Sequence, residues 1–166
     1  MKEQKLLLLF IFCILRLSLF AQVNFTGTWV LMDMQAVFGP SYKNALPKQV
    51  KIDHQKDSLF IEMINVGNDG KDLTSHSAMA LDGKAFSSFV PSTKRHYVRN
   101  LEWSGDKKSL IITTAYYLPE SDNEIDFTRI DTWSFLPDIK QLSIDRKSVE
   151  TRGESWETNG TFSKIK

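Results

Sequence analysis

Apolar and polar residues alternate along this chain with a period of two, in short segments running from Phe25 almost to its end. Phe25, Gly27, Trp29 and Leu31 share one parity. Val50, Ile52 and His54 share another, with Lys51 and Asp53 turned the opposite way, and Leu59, Ile61 and Met63 follow in the same manner. Successive side chains of a strand point to opposite faces, so this spacing describes strands with one dry face and one wetter face. No segment after Gln22 keeps a helical apolar stripe for long.

Turn-forming residues cut the alternating segments apart: Asn68-Asp69-Gly70, Asp82-Gly83, Ser104-Gly105-Asp106-Lys107, Pro119 to Asn123, Pro137-Asp138 and Arg152-Gly153-Glu154. Asp-Gly supplies the positive φ angles of a tight hairpin, so Asp82-Gly83 is expected to fold 84–90 back onto 71–81. The resulting strands cover 25–32, 48–54, 58–66, 71–81, 84–90, 94–103, 109–118, 124–136, 140–151 and 154–163. One longer connection, Asp33 to Pro47, contains Gly39-Pro40 and could either cover an end of the fold as a lid or lie loose. Consecutive antiparallel strands form a meander, and a long meander must close on itself or split into two packed layers to hide its edges. The pattern predicts an all-β fold, an antiparallel up-and-down β-barrel of about 8–10 strands, with a sandwich as the competing arrangement.

The first 21 residues read as a signal peptide. Lys2 and Lys5 precede the apolar run Leu6 to Leu15, and Ser18-Leu19-Phe20-Ala21 supplies a cleavage site before Gln22. Arg16 interrupts the run, which speaks against a retained span of ~20 apolar residues. The expected product is one domain, 22–166, secreted or periplasmic, with no stable membrane insertion. The only cysteine, Cys13, lies in the leader between Phe12 and Ile14, bulky neighbours for a lipid-attachment site. The mature chain therefore has no disulfide and must rely on its core, for which about 145 residues suffice. Losing Lys2, Lys5, Arg16 and Glu3 leaves 18 basic and 19 acidic residues, a net charge of −1 that gives no reason to expect nucleic acid as partner.

Gly27 and Trp29 point to one side of the first strand. Glycine lets another group approach closely, and the indole is large enough to close a narrow barrel end provided its N–H finds an acceptor. Phe25-Thr26-Gly27-Thr28-Trp29 resembles the amino-terminal Gly-x-Trp signature of lipocalins and the wider calycin group. The chain is similar to small secreted lipocalin-like proteins of bacteria in further short pieces: Leu-Asp-Gly-Lys at Leu81–Lys84, Trp-Ser-Gly-Asp at Trp103–Asp106, Trp-Ser-x-Leu-x-Asp at Trp133–Asp138 and Leu-x-Ile-x-Arg at Leu142–Arg146. The resemblance implies a lipocalin-like barrel closed by Gly27, Trp29 and a late arginine packed over the indole. Arg146 is the candidate by parity, with Arg152 second. It also implies a small hydrophobic ligand in the lumen.

Parity proposes who would line that lumen: Leu59, Ile61 and Met63; Tyr97, Arg99 and Leu101, with Trp103; Leu110, Ile112 and Tyr116, with Thr114; and Phe127 and Trp133, with Arg129, Asp131 and Phe135. Arg95-x-Tyr97-x-Arg99 is the sharpest polar feature and could hold a carboxylate. The commoner arrangement of such a stretch is outward, with solvated arginines, and Arg129/Asp131 likewise reads as an exposed same-face ion pair. Nothing suggests an enzyme or a cofactor. His54, His76 and His96 lie on separate strands without metal-ligand spacing, and no Gly-x-Ser-x-Gly elbow, Walker or dinucleotide glycine pattern occurs. The tryptophans read as core anchors before sugar platforms. The sequence therefore predicts a non-catalytic binder of a small hydrophobic ligand. The alternative is a barrel filled by its own side chains, acting through its surface in the cell envelope or on a protein partner whose identity the sequence does not give.

Overall fold

The computed structural model describes residues 23–91, 93–119, 121, 123–136 and 141–165. The leader with Cys13 lies outside them, as do Pro137 and Asp138. The described chain folds into ten strands: β1 (Gly27–Phe38), β2 (Gln49–His54), β3 (Ser58–Val66), β4 (Asp72–Ala80), β5 (Phe86–Val90), β6 (Arg95–Trp103), β7 (Ser109–Tyr117), β8 (Ile125–Phe135), β9 (Gln141–Glu150) and β10 (Trp156–Ile165). They form one antiparallel sheet in the order β4-β3-β2-β1-β10-β9-β8-β7-β6-β5. This is an up-and-down arrangement. Every strand neighbours its successor except at one place, and the ends of the chain meet through β1 and β10.

The exception is the seam between β4 and β5, which share no ladder. Asp82-Gly83 makes the expected turn, with Gly83 at φ 73° and the Asp82 carboxylate accepting the Lys84 N–H at 3.0 Å, but no hairpin follows. The Leu81 N–H donates instead to the Asp57 carbonyl at 3.0 Å. That bond carries the end of β4 along the β2–β3 turn and away from β5.

The sheet curls until its inner faces meet. Phe25, Trp29, Val50, Ile52, Leu59, Ile61, Met79, Leu101, Leu110, Ile112, Trp133, Leu142, Ile144 and Phe162 belong to one buried cluster drawn from nearly every strand. Phe25 is its hub: its ring stacks on Trp103 at 5.9 Å, meets Trp133 edge-on at 6.3 Å and lies 5.1 Å from Phe135. Such aromatic pairs contribute ~0.5–1.5 kcal/mol each beyond their area. His54 stacks on both Phe25 and Trp103, and its Nδ1 accepts the Phe25 N–H at 3.3 Å.

Trp29 closes this floor, 1% exposed, and its indole N–H donates to the Phe25 carbonyl at 3.0 Å. The cation above the indole is Lys164, paired with Trp29 across the β1–β10 ladder, with Nζ 5.4 Å from the ring. The expectation that Arg146 or Arg152 would occupy that place does not hold. Arg146 sits higher in the barrel on Asp131, and Arg152 pairs with Glu124 on the surface. Gly27 makes room for the lysine. A Cβ there would overlap Lys164 Cε, and Gly27 adopts φ +152°, which other residues rarely do. Lys164 Nζ also donates to the Thr26 carbonyl at 2.8 Å.

The connection after β1 is shorter than expected and is not loose. β1 continues to Phe38 along β10, past a bulge at Leu31/Asp33, while β2 pairs only with Gly27 to Val30. Strands β1 and β2 therefore splay, and the loop fills the gap: Ala45, Leu46 and Pro47 are buried, and Leu46 presses on Gly160, the one position of β10 where its side chain fits.

Gly27→Ala is expected to cost about 1–3 kcal/mol through backbone strain and displacement of Lys164, read as a lower urea midpoint at unchanged slope. Burial holds His54 below its ordinary pKa against the opposing charge of Asp53. Its stabilising neutral form is fully populated above about pH 6.5, and stability falls as the pH drops from there toward the depressed folded value. His54→Gln should flatten that acid limb in pH-dependent urea melts.

Candidate functional site

The lumen is divided across its length. Its lower half is solid: Leu59 and Leu110 are 0% exposed, and Ile61, Leu101 and Trp133 are packed around them. These five, expected to line a ligand space, are core residues. Their alternation placed them inside correctly, but Phe25, Trp29 and the rings around them occupy the room.

Space begins above this plug. An inner chamber of about 220 Å³ is lined by Met63, Asn65, Ser75, His76, Ser77, Met79, Val90, Tyr97, Arg99, Ile112, Thr114, Tyr116, Arg129, Asp131 and Arg146. An outer chamber of about 590 Å³ at the mouth is walled by Tyr42, Lys43, Ala45, Asn65, Asn68, Phe127, Arg129, Arg146, Glu150, Glu154 and Trp156. The two adjoin at Asn65, Arg129 and Arg146, which border both. Of the residues expected at a ligand, Met63, Tyr97, Arg99, Ile112 and Tyr116 border the inner chamber and Phe127 the outer one. A third hollow of about 350 Å³ lies over β2 to β4, bounded mainly by the outward Lys51, Asp53, Phe60 and Glu62, and it meets the inner chamber at His76 and Ser77, which border both.

The arginines are the main correction to the sequence reading. Arg99 faces inward. Its Nε donates to the Thr114 hydroxyl at 2.8 Å, its guanidinium lies 4.9 Å from the Tyr97 ring, and Nη1 reaches Met79 Sδ at 3.7 Å across the seam. Arg95 lies nearer the mouth, bonded to the Asp126 carboxylate and the Tyr117 carbonyl. Arg129 and Asp131 also point inward, and they are not each other's partners. Asp131 takes Arg146 in a two-pronged bond, Nε to Oδ1 at 2.6 Å and Nη2 to Oδ2 at 2.6 Å, both residues being buried. The third face of the Arg146 fork donates to the Ala45 carbonyl, which ties the loop to the barrel wall. Burial works against the charge of Arg146, but the attraction and hydrogen bonds of Asp131 outweigh it and hold its pKa above the ordinary value.

Arg129 is left over. Its Nε is fully shielded and has no hydrogen-bond partner among the described residues. Rings surround the guanidinium, Phe127 at 5.3 Å, Tyr116 at 5.6 Å and Trp156 at 5.9 Å. Burial first, and the like charge of Arg146 second, push its pKa down, only partly offset by Tyr116, Asp131 and Glu150. An arginine stays protonated even so. The inner chamber therefore holds three guanidinium groups, Arg99, Arg129 and Arg146, against one carboxylate, Asp131, already engaged. Aromatic faces attract a cation but accept no conventional N–H···O bond, so the donors of Arg129 still need an acceptor.

Parity alone put Arg99, Thr114, Arg129 and Asp131 on inner faces. Only the preference for keeping charge outside argued otherwise. Tyr42, Asn65, Met79 and Trp156 were not read as site residues, because a loop tip and strands across the seam meet there without any local signal. The three histidines stand apart from one another: His54 in the floor, His76 beside Glu62 where the inner chamber meets the third hollow, and His96 against Phe89 on the outside. Among the described residues no helix is long and apolar enough to cross a membrane.

No family model matches the chain, and no curated protein does. Among solved structures the chain is similar to zebrafish ileal bile acid-binding protein complexed with cholic acid, at 12% identity, covering 85% of this chain and 98% of that one with a TM-score of 0.47. A likeness at that level says nothing about what this chain binds.

Removing one member of the buried pair strands the other. Asp131→Asn is expected to destabilise by about 3–5 kcal/mol, whereas the double change Asp131→Leu with Arg146→Met should recover most of the loss. Urea unfolding of the single and double variants gives the coupling directly.

Proposed function

We propose that the protein is a non-catalytic carrier of a small amphipathic organic anion, held in the upper half of the barrel. Arg129 carries this reading. It is a half-buried guanidinium on the border of both chambers, and its fully shielded Nε lacks an acceptor among the described residues. A carboxylate or similar group placed there would accept from Arg129 and from the free side of Arg99. Its apolar body would lie against Tyr42, Phe127 and Trp156 in the outer chamber. A drug-sized ligand needs ~300–1,000 Å³, more than the inner chamber offers and within reach once the outer chamber is included. The expected wholly hydrophobic ligand fits less well, because a neutral tail would leave the shielded Nε of Arg129 without a partner. Leader residues 1–21 support a secreted or periplasmic location.

The measurement is titration with a dansyl-labelled undecanoic acid and with its methyl ester. The acid is expected to bind more tightly than the ester, and Arg129→Met to weaken the acid by roughly tenfold to a hundredfold, about 1.5–3 kcal/mol for a charge-assisted bond, while leaving the ester unchanged. Equal affinities of acid and ester, or an Arg129→Met variant that binds the acid as before, would remove the anion site.

A further inference from the structure

The outside of the barrel differs sharply between its two ends. Around the mouth, large apolar side chains stand in solvent: Val37 and Phe38 at the end of β1, Tyr42 in the loop, Leu73 at the start of β4, Phe89 near the end of β5, Ile125 at the start of β8 and Val149 near the end of β9. All five strand connections at this end contribute at least one. At the floor, the turns carry Lys56 and Asp57, Asp82 and Lys84, and Asp106 with Lys107 and Lys108, and among the described residues the large exposed apolar side chains near that end are two, Phe60 on β3 and Ile165 on β10, with Met32 midway along β1. Single exposed apolar residues are ordinary. A ring of seven of them concentrated at one end, encircling the entrance to a cavity, marks a contact surface.

The charges of the rim indicate the kind of partner. They are arranged as local pairs: Lys48 with Asp72 at 2.5 Å, Lys71 with Asp69 at 3.3 Å, Arg95 with Asp126 and Arg152 with Glu124. Lys43 and Glu154, both on the outer chamber, carry opposite signs. Neither a polyanion nor a strongly charged protein face finds a complement in such a rim, whereas a surface without net charge does. The tips also come from five separate connections around an opening, so one flat and deformable surface meets them all together.

We propose that the mouth docks on a zwitterionic lipid bilayer, with the apolar tips in its interfacial layer and the outer chamber open toward the lipid. Cargo would then pass between bilayer and cavity without crossing bulk water. The docking depends on the rim alone and stands whether or not the cargo is an anion.

The test uses the full chain with Cys13→Ser and one polarity-sensitive dye on a new thiol, either at the rim (Lys71→Cys) or at the floor (Lys107→Cys), mixed with phosphatidylcholine vesicles containing brominated lipid. The rim dye is expected to be quenched and the floor dye not, with no change in high salt. Val37→Ser with Phe38→Ser should weaken the rim response by roughly tenfold or more, each tenfold being about 1.4 kcal/mol. Leu73→Ser with Ile125→Ser serves as an independent second variant should the first misfold by circular dichroism. Four outcomes overturn the proposal: a silent rim dye, equal quenching at both ends, binding only to anionic vesicles and lost in salt, or a concentration-dependent dimer that shields the rim dye without lipid. Because dye quenching needs no ligand, a negative result here leaves the anion titration intact, and the reverse also holds.

Discussion

Pairing of the first strand with the last is what gives this chain an inside. β1 and β10 run together from Thr28↔Ile165 to Phe38↔Glu157, the most extensive strand contact in the molecule. Without it the strands would be two separate sheets, β1 to β4 and β5 to β10, each with its apolar face in water. The contact spans nearly the whole sequence, so its loop-closure entropy must be overcome before the core rewards it. The aromatic floor sits where that closure happens. Phe25, Trp29 and Lys164 lie within a few residues of the joining ends, and the Trp29–Phe25 bond, the Gly27 backbone and the Lys164 ammonium all belong to the same junction.

Closure also explains the division of the lumen. The floor is packed because two tryptophans, two phenylalanines and the branched residues of β2, β3, β7 and β9 converge there. Above it the inward positions change character: Thr114 follows Ile112, Arg129 and Asp131 precede Trp133, and Arg146 follows Ile144 on their strands. Burying that many polar groups is expensive, and a buried ion pair is poor evidence of stability in itself. Asp131 and Arg146 are nevertheless fully matched, and Arg146 uses its remaining donor to fasten Ala45. Arg129 is the member of the set without such an arrangement, and a binding site needs an unsatisfied donor of that kind.

Much of this was legible in the residues. Period-two spacing gave ten strands near their true bounds, and Gly-x-Trp marked the closed end. Parity correctly turned Arg99, Arg129, Asp131 and Arg146 toward the interior. What failed was the energetic prior that charge belongs outside, which is sound for a solitary strand and unsound where four neighbouring strands, β6 to β9, turn polar groups into one shared cavity. Partners distant in sequence were also beyond reach: nothing in the local sequence pairs Lys164 with Trp29 across the β1–β10 ladder, or Ala45 with a side chain a hundred positions away. The Asp82-Gly83 turn was read correctly as a turn, but its geometry alone does not say whether the strands it joins will bond.

The unbonded line between β4 and β5 gives the ring the mechanics of a spring clip. Any other pair of neighbours could part only by breaking a ladder of backbone bonds, whereas here the Arg99–Met79 contact is a side-chain link that crosses. Both borders are dressed in small hydrophilic groups, Thr74, Ser75, His76 and Ser77 on one and Ser87 and Ser88 on the other, which water can satisfy and which discourage stacking with a foreign sheet. Ser75, Ser77 and Val90 on those borders are also walls of the inner chamber. The capacity of that chamber is thus set by the compliance of one slit, while the aromatic floor and the long β1–β10 ladder stay rigid.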